Sequence, residues 1–593
     1  MNTVIPGFWY LNQKKIEKKF LEKKYKLYSF DAHNIKYNLK NWERIQDSYT
    51  SILKELSQIL NNIHQLNWKT KTWEIIVGPW LKKYLVVIFD RVFITKCNIK
   101  NKNKFFFAED QNKTHLNSYD INDFLSQILK DQWNEEFFKR LYKFYKYKDE
   151  KYLLKKEIKI EEKIKFSKIH EGIFLLINFF LKIYCKIFCK KSVFIFSRTY
   201  FGKKSIFIKF IMSLKEFPLI YFLNDKKINL TFDKKIRDKI KFKKTINEKE
   251  NIAKILIKEC LPRIYLEGFK YVQDRIRLSS LPQKKSLIFL SNIRNDSMFK
   301  FWVAGQKEIG SKLIVAQHGG GYNMFKFDES LDYELKIADI YLSWGWKKNI
   351  YNKKNVLPFG ILNQNIRPVL KKNNKEGISL ILGAFYRYID TQDPRCILNL
   401  TKSDKNLNFT ELMEIEYFCK GIKPKFSKFI TIRPHPSKMR FSGIYAFEKK
   451  LKGIFKFNRD YSISGEKFMR NFKLNIFHEL HSTSFAFALA LDLPSLVICP
   501  HNINYFNNET QKILSLMLKA KIVHKHHKSA VKFVNQVYNN PSQWWNSKIT
   551  QLARKKFCKT HGKYSNNYNY KKLTNILLLE KQRLSNSESF KMR

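Results

Sequence analysis

The sequence is poor in residues that mark several common classes of protein. Its 593 residues include only eight cysteines, too few for a disulfide framework in so long a chain. Cys185 and Cys189 are four residues apart on a predicted helix, without a second pair elsewhere, so their spacing does not predict a zinc site. This usage fits a reducing cytoplasm.

Long apolar runs are also lacking. The most apolar segment, residues 173–189, is interrupted by Asn178, Lys182 and Lys186 and is shorter than the ~20 residues that a membrane span needs. We interpret it as a buried or amphipathic helix. The N-terminus shows no basic region followed by a long apolar run, so we expect no signal peptide. The predicted location is the cytoplasm, and peripheral attachment to the inner face of the plasma membrane is left open.

Acidic residues are scarce beside basic ones. The chain has 112 Lys and Arg against 52 Asp and Glu, a formal net charge of +60. One interpretation is binding to nucleic acid or membrane; the other is compositional bias, since the abundant Lys, Asn, Ile, Phe and Tyr all have AT-rich codons. The basic residues are spread along the chain and no nucleic-acid motif is recognisable, which favours bias. Such a surface still predicts attraction to anionic nucleotides, lipids or glycans.

Short apolar runs alternate with helical segments from about residue 285 onward, a pattern typical of parallel sheets. A chain this long also exceeds one hydrophobic core. We therefore predict an α/β fold of two Rossmann-like domains that face a cleft, preceded by a helical region in which Gly78-Pro79 interrupts the helical pattern. The predicted parts are residues 1–365, a second domain at 376–540, bracing helices at 541–580 and a frayed tail at 581–593.

Polar side chains stand at three predicted strand ends, where ligands bind in α/β folds. A histidine there can move protons near neutral pH, and successive glycines let backbone amides approach an anion. Arginine beside imidazole suits a phosphate, and hydroxyls at a helix start meet free amides. The residues at the three strand ends are Gln317, His318, Gly319, Gly320 and Gly321; Arg433 and His435; and Glu479, Ser482, Thr483 and Ser484.

Each of these groups also has a structural interpretation. His318 can be a histidine hydrogen-bonded at a strand end, the prolines around His435 can form a simple turn, and Ser482 can be a plain helix cap. Asn292 and Arg294 follow the preceding strand and are predicted to line the acceptor side. No Asp-x-Asp sequence stands near a strand end in the first half, so we predict no metal site.

An ordered set of motifs resembles a family of bacterial transferases from surface-carbohydrate (O-antigen) gene clusters. The resemblance covers residues from about 40 to 565. Single motifs are common in proteins, whereas the ordered set is considerably more specific. Its members are the segment 66–80 with its Gly78-Pro79-Trp80 ending, residues 316–321, 433–436 and 481–484, and Trp544-Trp545-Asn546 followed by Ala553, Arg554 and Phe557.

The His-Gly and His-Pro pair is also similar to GT-B glycosyltransferases that build polysialic or teichoic acid. This resemblance implies that His318 is the general base in an acceptor-side N-terminal domain, and that His435 and the Ser482–Ser484 turn hold the donor phosphate in a nucleotide-binding C-terminal domain. Many GT-B enzymes hold the ribose with a glutamate in the following helix. Residues 485–488 contain no acid, so that contact is in doubt, although Glu479 lies upstream.

The resemblance implies a metal-independent enzyme with no cofactor, which uses a nucleotide sugar, preferably CMP-linked, as co-substrate. Its partners would be that donor, a glycan or lipid-linked acceptor and an anionic membrane surface, with no specific nucleic acid. Two alternatives stay open at this point. One is a basic nucleic-acid-binding protein, and the other is an inactive GT-B-like protein that binds a glycan or nucleotide.

Overall fold

The computed structural model describes most of the chain in segments. These are residues 35–100, 116–145, 193–197, 204–214, 218–220, 228–279, 281–294, 297–363, 376–383, 407–436, 453–499, 503–564 and 569–589, with short pieces at 3–5, 25–27, 106–107, 150–151, 179–180, 183, 187 and 451. Cys185, Cys189 and most of segment 173–189 lie outside the described residues.

Two minor parallel pairs of strands and one six-stranded sheet form the β structure of the first half. The pairs are β1 (Thr3–Ile5) with β2 (Tyr25–Leu27) and β3 (Phe106–Phe107) with β4 (Glu150–Lys151). The sheet has the order β10-β9-β8-β7-β5-β6 and every pairing in it is parallel. Its strands are β5 (Val193–Ser197), β6 (Leu219–Ile220), β7 (Ser286–Leu290), β8 (Lys312–Ala316), β9 (Ile340–Ser343) and β10 (Val356–Pro358).

A second parallel six-stranded sheet follows, in the order β13-β12-β11-β14-β15-β16. Both sheets are built from runs such as Leu-Ile-Phe-Leu and Leu-Asn-Ile-Phe, whose side chains are buried on both faces, as parallel sheets covered by helices require. The strands are β11 (Ile378–Ile381), β12 (Ile430–Arg433), β13 (Lys456–Phe457), β14 (Leu474–Phe477), β15 (Ser495–Ile498) and β16 (Val523–His524).

Helices cover the sheets and form the N-terminal region. Those before and around the first sheet are Ile35–His64, Thr70–Lys100, Ile121–Gln127, Asp131–Phe144, Lys204–Ser213, Lys234–Arg237, Glu248–Cys260, Phe269–Leu278, Ser297–Glu308 and Glu329–Ile337. Those around the second sheet and beyond it are Leu407–Gly421, Pro424–Ser427, Gly465–Met469, Thr483–Ala490, Asn508–Lys519, His527–Val537, Pro541–Trp545, Lys548–His561 and Asn569–Ser589, and 3-10 turns lie at Arg263–Tyr265 and Ile503–Tyr505.

Helix Thr70–Lys100 continues through Pro79, so the predicted interruption at Gly78-Pro79 is wrong. A proline inside a helix has no N–H for the carbonyl four residues earlier. Here that carbonyl belongs to Ile75, and the buried Tyr333 hydroxyl donates to it at 2.8 Å. A side chain from another helix therefore replaces the bond that Pro79 removes, and the helix can continue.

The C-terminal helices contact both halves of the molecule. Leu573 and Leu577 pack with Phe194 of the first sheet, and Arg554 donates to the Leu489 carbonyl beside the second sheet at 2.9 Å. The last helix extends to Ser589 and buries Leu584. The prediction of a frayed tail from residue 581 is therefore wrong through residue 589, because apolar residues at helical spacing continue into it.

The two parallel six-stranded sheets with helical cover and a helical N-terminal region confirm the predicted fold class. Because all strands of a sheet run the same way, the loops after β7 and β8 meet at one edge of the first sheet. The loops after β11, β12 and β14 likewise meet at one edge of the second sheet. Every candidate site residue predicted from the sequence lies at one of these two edges.

Candidate functional site

His318 follows β8 directly, and a buried network holds the loop that carries it. The Gln317 amide donates to the Gly319 carbonyl at 2.7 Å, and its oxygen accepts from the backbone of Trp344 and the indole of Trp346 at 2.9 and 3.0 Å. Gln317 is 3% exposed. Gln317 stands at a strand end where a ligand contact was predicted, but both ends of its amide are used inside the protein, so the residue positions the loop.

The His318 ring lies against a tyrosine and a buried carboxyl group. Its side chain is 26% exposed, and its Nδ1 is 3.8 Å from Oε1 of Glu334. The Tyr322 hydroxyl is 3.4 Å from both ring nitrogens and donates to Glu334 Oε1 at 3.1 Å. Tyr341 donates to the other carboxyl oxygen at 3.1 Å. Tyr322 and Glu334 thus border the imidazole in the way that orienting groups border the histidine of proton-transfer sites.

Burial raises the pKa of Glu334 to about 8, against the hydrogen bonds that Tyr341 and Tyr322 donate to it. A carboxyl group with such a pKa holds a proton near neutral pH. In that state it places no full negative charge beside the His318 ring.

Ion pairs anchor helix Glu329–Ile337, which carries Glu334. Arg294 donates to Glu329 and, at 2.6 Å, to the Ser330 hydroxyl, and buried Lys82 pairs with Asp332. Arg294 was predicted to line the acceptor side together with Asn292. Its guanidinium instead braces the helix start, and the Asn292 side chain accepts from the Arg294 backbone at 3.1 Å.

The glycine loop touches the second half of the molecule directly. The Gly320 N–H donates to the Thr483 hydroxyl at 2.9 Å. A Cβ on Gly320 would lie 2.9 Å from the Ser482 carbonyl oxygen, and one on Gly319 would lie 3.1 Å from Thr483 Oγ1. Gly321 has φ +82° and faces the His481 carbonyl. The Gly320 amide, predicted to approach an anion, is therefore engaged by Thr483 in this conformation.

Further contacts extend this junction between the halves. Phe325 and Phe506 form an antiparallel bridge, and their rings stack at 5.1 Å between centroids. Trp344 of the first half stacks on Phe487 of the helix that begins at Thr483, at 5.6 Å. The loop with His318 and the start of helix Thr483–Ala490 are therefore held face to face.

Ser482 caps helix Thr483–Ala490, as the simpler interpretation predicted. Its hydroxyl accepts from the Phe485 N–H at 3.1 Å. The first two helical amides, of Thr483 and Ser484, cannot bond within the helix. They remain at a helix start, where the helix dipole favours an anion. Structural capping by Ser482 and anion binding by the next two amides are compatible.

Ser464 stands beside this helix start and was not identified from the sequence. It precedes helix Gly465–Met469, yet its hydroxyl caps nothing, and its buried oxygen has no hydrogen bond among the described residues. A Cβ built on neighbouring Gly465 would be 3.7 Å from Ser484 Oγ. The loop that carries Ser464 therefore lies beside the first turn of helix Thr483–Ala490, which carries Ser484.

Glu479 lies over the end of β11. A Cβ on Gly383 would overlap its carboxyl group, at 1.9 Å from Oε1, so this glycine makes room for the acid. Glu479 Oε2 is also 3.8 Å from His481 Nε2. The carboxyl group is buried at the correct edge for a ribose contact.

Arg433 and His435 follow β12, and the structure separates their surroundings. Arg433 is 8% exposed and donates to Asn458 at 3.0 Å and to the Ile463 carbonyl at 2.7 Å. The predicted phosphate contact of Arg433 does not fit, because its guanidinium holds the loop that leads to Ser464. His435 is exposed. It follows β12, whereas the Ser482 turn follows β14, and these two strands lie on either side of β11. Two strand spacings therefore separate His435 from the Ser482 turn, a distance of roughly 10 Å.

The structure thus brings His318 and the glycine loop against Ser482 and Thr483, and places Glu479 and His435 at the same sheet edge. Glu334, Tyr322 and Ser464 were missed by sequence reasoning. A signal for Glu334 did exist, because it lies on the apolar face of a helix at helical spacing from Leu331 and Ile337. Tyr322 and Ser464 gave no sequence signal, since their importance depends on tertiary neighbours.

Among the described residues, no three or more His, Cys, Asp or Glu side chains are grouped so that they could hold a metal ion. In the same part of the chain, no helix is both long enough and apolar enough to cross a membrane.

Comparisons with known proteins give distant similarities and one family. An S. aureus MnaA–UDP complex shares 11% identity over 65% of this chain and 95% of its own, with TM-score 0.34. The wall teichoic acid polymerase TagF shares 8% over 70% and 96%, with TM-score 0.34. UDP-GlcNAc 2-epimerase from Neisseria meningitidis shares 11% over 65% and 99%, also with TM-score 0.34.

No curated protein matches the sequence. The family model described as LIC12162 family transferase matches residues 1–577. This match spans nearly the whole chain and confirms the predicted membership of a transferase family. The chain belongs to the LIC12162 family of transferases.

Proposed function

We propose that this transferase is a metal-independent glycosyltransferase that moves a sugar from a nucleotide donor to a bacterial surface polysaccharide or its precursor. One observation carries the proposal. The loop with His318 at the edge of the first sheet contacts the start of helix Thr483–Ala490 at the edge of the second, through Gly320 and Thr483. This contact supports the proposal, because a proton acceptor on the first loop and an anion bound at the helix start would face each other across one junction.

His318 takes the acceptor proton in this proposal. As the acceptor oxygen bonds to the anomeric carbon, its proton moves to the imidazole, and the bond from that carbon to the phosphate oxygen breaks. The nucleotide leaves with the bonding electron pair. Tyr322 and Glu334 orient the ring by the contacts described above, and a positioned general base contributes ~10²–10⁴-fold to the rate.

The donor phosphate binds at the start of helix Thr483–Ala490. The amides of Thr483 and Ser484 and the Ser484 hydroxyl bind it, Ser464 on the adjacent loop adds a hydroxyl, and the helix dipole favours the charge that develops on the leaving phosphate. His435 approaches from the neighbouring strand end, and Glu479 serves the ribose. Because Thr483 already bonds Gly320, the donor enters after the two loops separate, and closing around it excludes water.

We prefer a CMP-linked acidic sugar as donor because the chain resembles polysialic-acid enzymes. The net charge of +60 suits an anionic glycan as acceptor. The same charge suits attachment to an anionic membrane surface at the cytoplasmic face. The test is release of nucleotide from CMP-, UDP-, GDP- and dTDP-sugars, with and without acceptor polysaccharide. We expect one donor class to be consumed, at a rate that the acceptor increases.

The His318→Ala variant tests the assignment of the base. We expect its transfer rate to fall by ~10²–10⁴-fold, while donor affinity and melting temperature stay close to the parent values. His526→Ala is the matched control, because His526 is exposed and its side chain caps no helix amide. Near-parental turnover in His318→Ala refutes the base assignment. Donor binding without turnover of any donor supports the inactive binding protein instead.

A further inference from the structure

A second cavity lies outside the junction described above. It has a volume of about 630 Å³, within the range of small-molecule sites. The end of helix Ile35–His64, the loop after it, and helices Phe269–Leu278 and Ser297–Glu308 form its walls. We call it the Trp68 pocket, after the partly exposed tryptophan in its lining.

One wall of the Trp68 pocket is a fixed aromatic surface. The Trp68 backbone is clamped by Asn61, which accepts from its N–H at 3.1 Å and donates to its carbonyl at 2.8 Å. Trp68 lies 5.8 Å from Phe269, and His64 stacks on Phe269 at 4.0 Å and 14°. Burial lowers the pKa of His64 to about 4, so the ring is neutral at pH 7. The wall thus presents uncharged, preordered rings.

Helix Ser297–Glu308 forms the opposite wall and contains an unusual glycine. A Cβ built on Gly305 meets nothing within 4 Å, so no packing neighbour demands glycine there, although glycine is unfavourable inside a helix. The polar ends of Trp302 and Gln306 both bond to the Pro282 carbonyl, at 3.0 and 2.9 Å. The absence of a side chain at position 305 leaves this wall open for a ligand.

Amide side chains supply the polar groups of the pocket. Gln65, Gln273 and Gln283 line it, and among the described residues no hydrogen bond is formed by these three side chains. Each amide offers two donors and an acceptor. The charged residues of the lining are Arg277 and Asp274, which form an exposed ion pair, and the exposed Lys270.

The pocket is distant from His318. Helix Ser297–Glu308 connects β7 to the parallel strand β8, so its C-terminal end lies at the amino edge of the sheet. His318 lies at the carboxyl edge, beyond the five residues of β8, a span of roughly 17 Å. A ligand in the Trp68 pocket therefore does not share the junction where transfer is proposed.

We propose that the Trp68 pocket binds a neutral oligosaccharide, whose apolar C–H faces pack on the aromatic wall and whose hydroxyls bond the glutamine amides. Pyranose rings combine an apolar face with a rim of hydroxyls that both donate and accept. The fixed rings and the uncommitted amides match these properties. A nucleotide would instead be favoured by a cluster of cations, whereas the only cations in the described lining are Arg277, which pairs with Asp274, and Lys270. The inference does not depend on the transfer chemistry.

Isothermal titration of the full-length protein with N-acetylchitotriose and isomaltotriose tests this site directly. We expect at least one of these neutral trisaccharides to bind. Gly305→Leu, which places a side chain in the open volume, and Trp68→Ala should each weaken that binding at least tenfold. Gly305→Ala is the matched control and should stay within about twofold of the parent, because one methyl group leaves most of the volume open.

The melting temperature separates a blocked site from a damaged fold. Leucine and alanine both favour helix over glycine, so neither Gly305 variant should melt below the parent protein. If Gly305→Leu nevertheless fails to fold, Gln273→Ala must weaken binding in its place. Lack of binding by both neutral trisaccharides, binding that survives Gly305→Leu, or binding of only an oligosialic acid or UDP overturns the proposal. Loss of transferase activity has no bearing on these outcomes.

Discussion

The carboxyl edges of the two sheets hold their polar groups in different ways. At the first edge, Glu329, Asp332 and Glu334 have side chains only 2–5% exposed, and hydrogen bonds and ion pairs hold them to Arg294, Lys82 and Tyr341. At the second edge, Ser482 and Ser484 at the helix start are only partly buried, and His435 is exposed on the loop after β12.

This difference separates two tasks. A group that moves a proton must be held within a fraction of an ångström and kept at a useful pKa, which burial and fixed neighbours provide. A site that admits and releases a charged donor needs exposed amides and hydroxyls on movable loops. The first edge suits the former task and the second edge the latter.

The pH dependence of stability tests the buried character of the first edge and carries the largest expected effect. The ordinary pKa of Glu334 is 4.5 and burial raises it to about 8. Its contribution to stability is fully present below pH 4.5 and is lost as the pH rises through 8. Glu334→Gln cannot titrate, so its stability relative to the parent should rise between pH 5 and 8.5, by on the order of 4 kcal/mol.

Thermal or urea unfolding of both proteins across that pH range measures the difference. Glu509→Gln, which alters an exposed carboxyl group, should show no such trend. If the free energies of unfolding of the parent and Glu334→Gln change with pH in parallel, Glu334 is not buried in the way described. The contrast between an enclosed first edge and an open second edge would then fail.

The contact between the edges is tested by Gly320→Val. The added side chain meets backbone oxygens of Ser482 and His481, at 2.9 and 3.0 Å from its Cβ, and backbone cannot move aside as a flexible side chain can. The two loops must therefore separate, at a cost of about 1–3 kcal/mol. We expect kcat/KM to fall by roughly 10- to 100-fold. Gly305→Ala, which adds its methyl group to open space, should not reduce it.

Unchanged kcat/KM in Gly320→Val would mean that turnover does not use this contact. A lower kcat/KM accompanied by an equal loss of global stability would mean that the contact is structural. A fall in kcat/KM with little change in melting temperature is the result that links the two edges in catalysis.

The sheet strands and the edges that hold the site were predictable from the sequence. The short apolar runs that predict parallel strands from residue 285 onward include Ser286–Leu290, Lys312–Ala316 and Leu474–Phe477, and all three are strands, because a buried parallel strand is largely apolar along its length. Strand β13 was missed, since Lys456–Phe457 is short, lies at the sheet edge and has no apolar run.

The contacts within the site were not predictable in the same way. Gln317, Arg294 and Arg433 have the chemistry of ligand-binding residues, but each meets a protein partner far away in the sequence. Residue type and spacing carry no information on such partners. The three glycines show the same limit. Their small size was evident from the sequence, whereas the atoms that approach them belong to residues 481–483.

The attachment of the first edge to the N-terminal helices is tested by a double-mutant cycle. Tyr333→Phe leaves the buried Ile75 carbonyl without its donor, which should cost about 1–3 kcal/mol in the free energy of unfolding. In a Pro79→Ala background the backbone amide at position 79 can bond that carbonyl. Tyr333→Phe should therefore cost clearly less there. Equal costs in both backgrounds would show that Tyr333 does not replace the missing helix bond.

The smallest expected effect concerns Ser464 at the second edge. Its buried hydroxyl makes no hydrogen bond among the described residues, so Ser464→Ala should leave the melting temperature unchanged or slightly higher. If the hydroxyl binds the donor phosphate, the donor KM rises by about 3- to 10-fold, as the loss of one hydrogen bond predicts, while kcat changes little.

Ser462→Ala is the matched control, because this nearby hydroxyl already bonds Asp460 and should leave the donor KM unaltered. A donor KM that is equal in the parent and Ser464→Ala would exclude Ser464 from donor binding. The outcome also bears on Arg433, which holds Ile463 next to Ser464. A raised KM in Ser464→Ala would mean that Arg433 serves the donor indirectly, by fixing the loop that presents this hydroxyl.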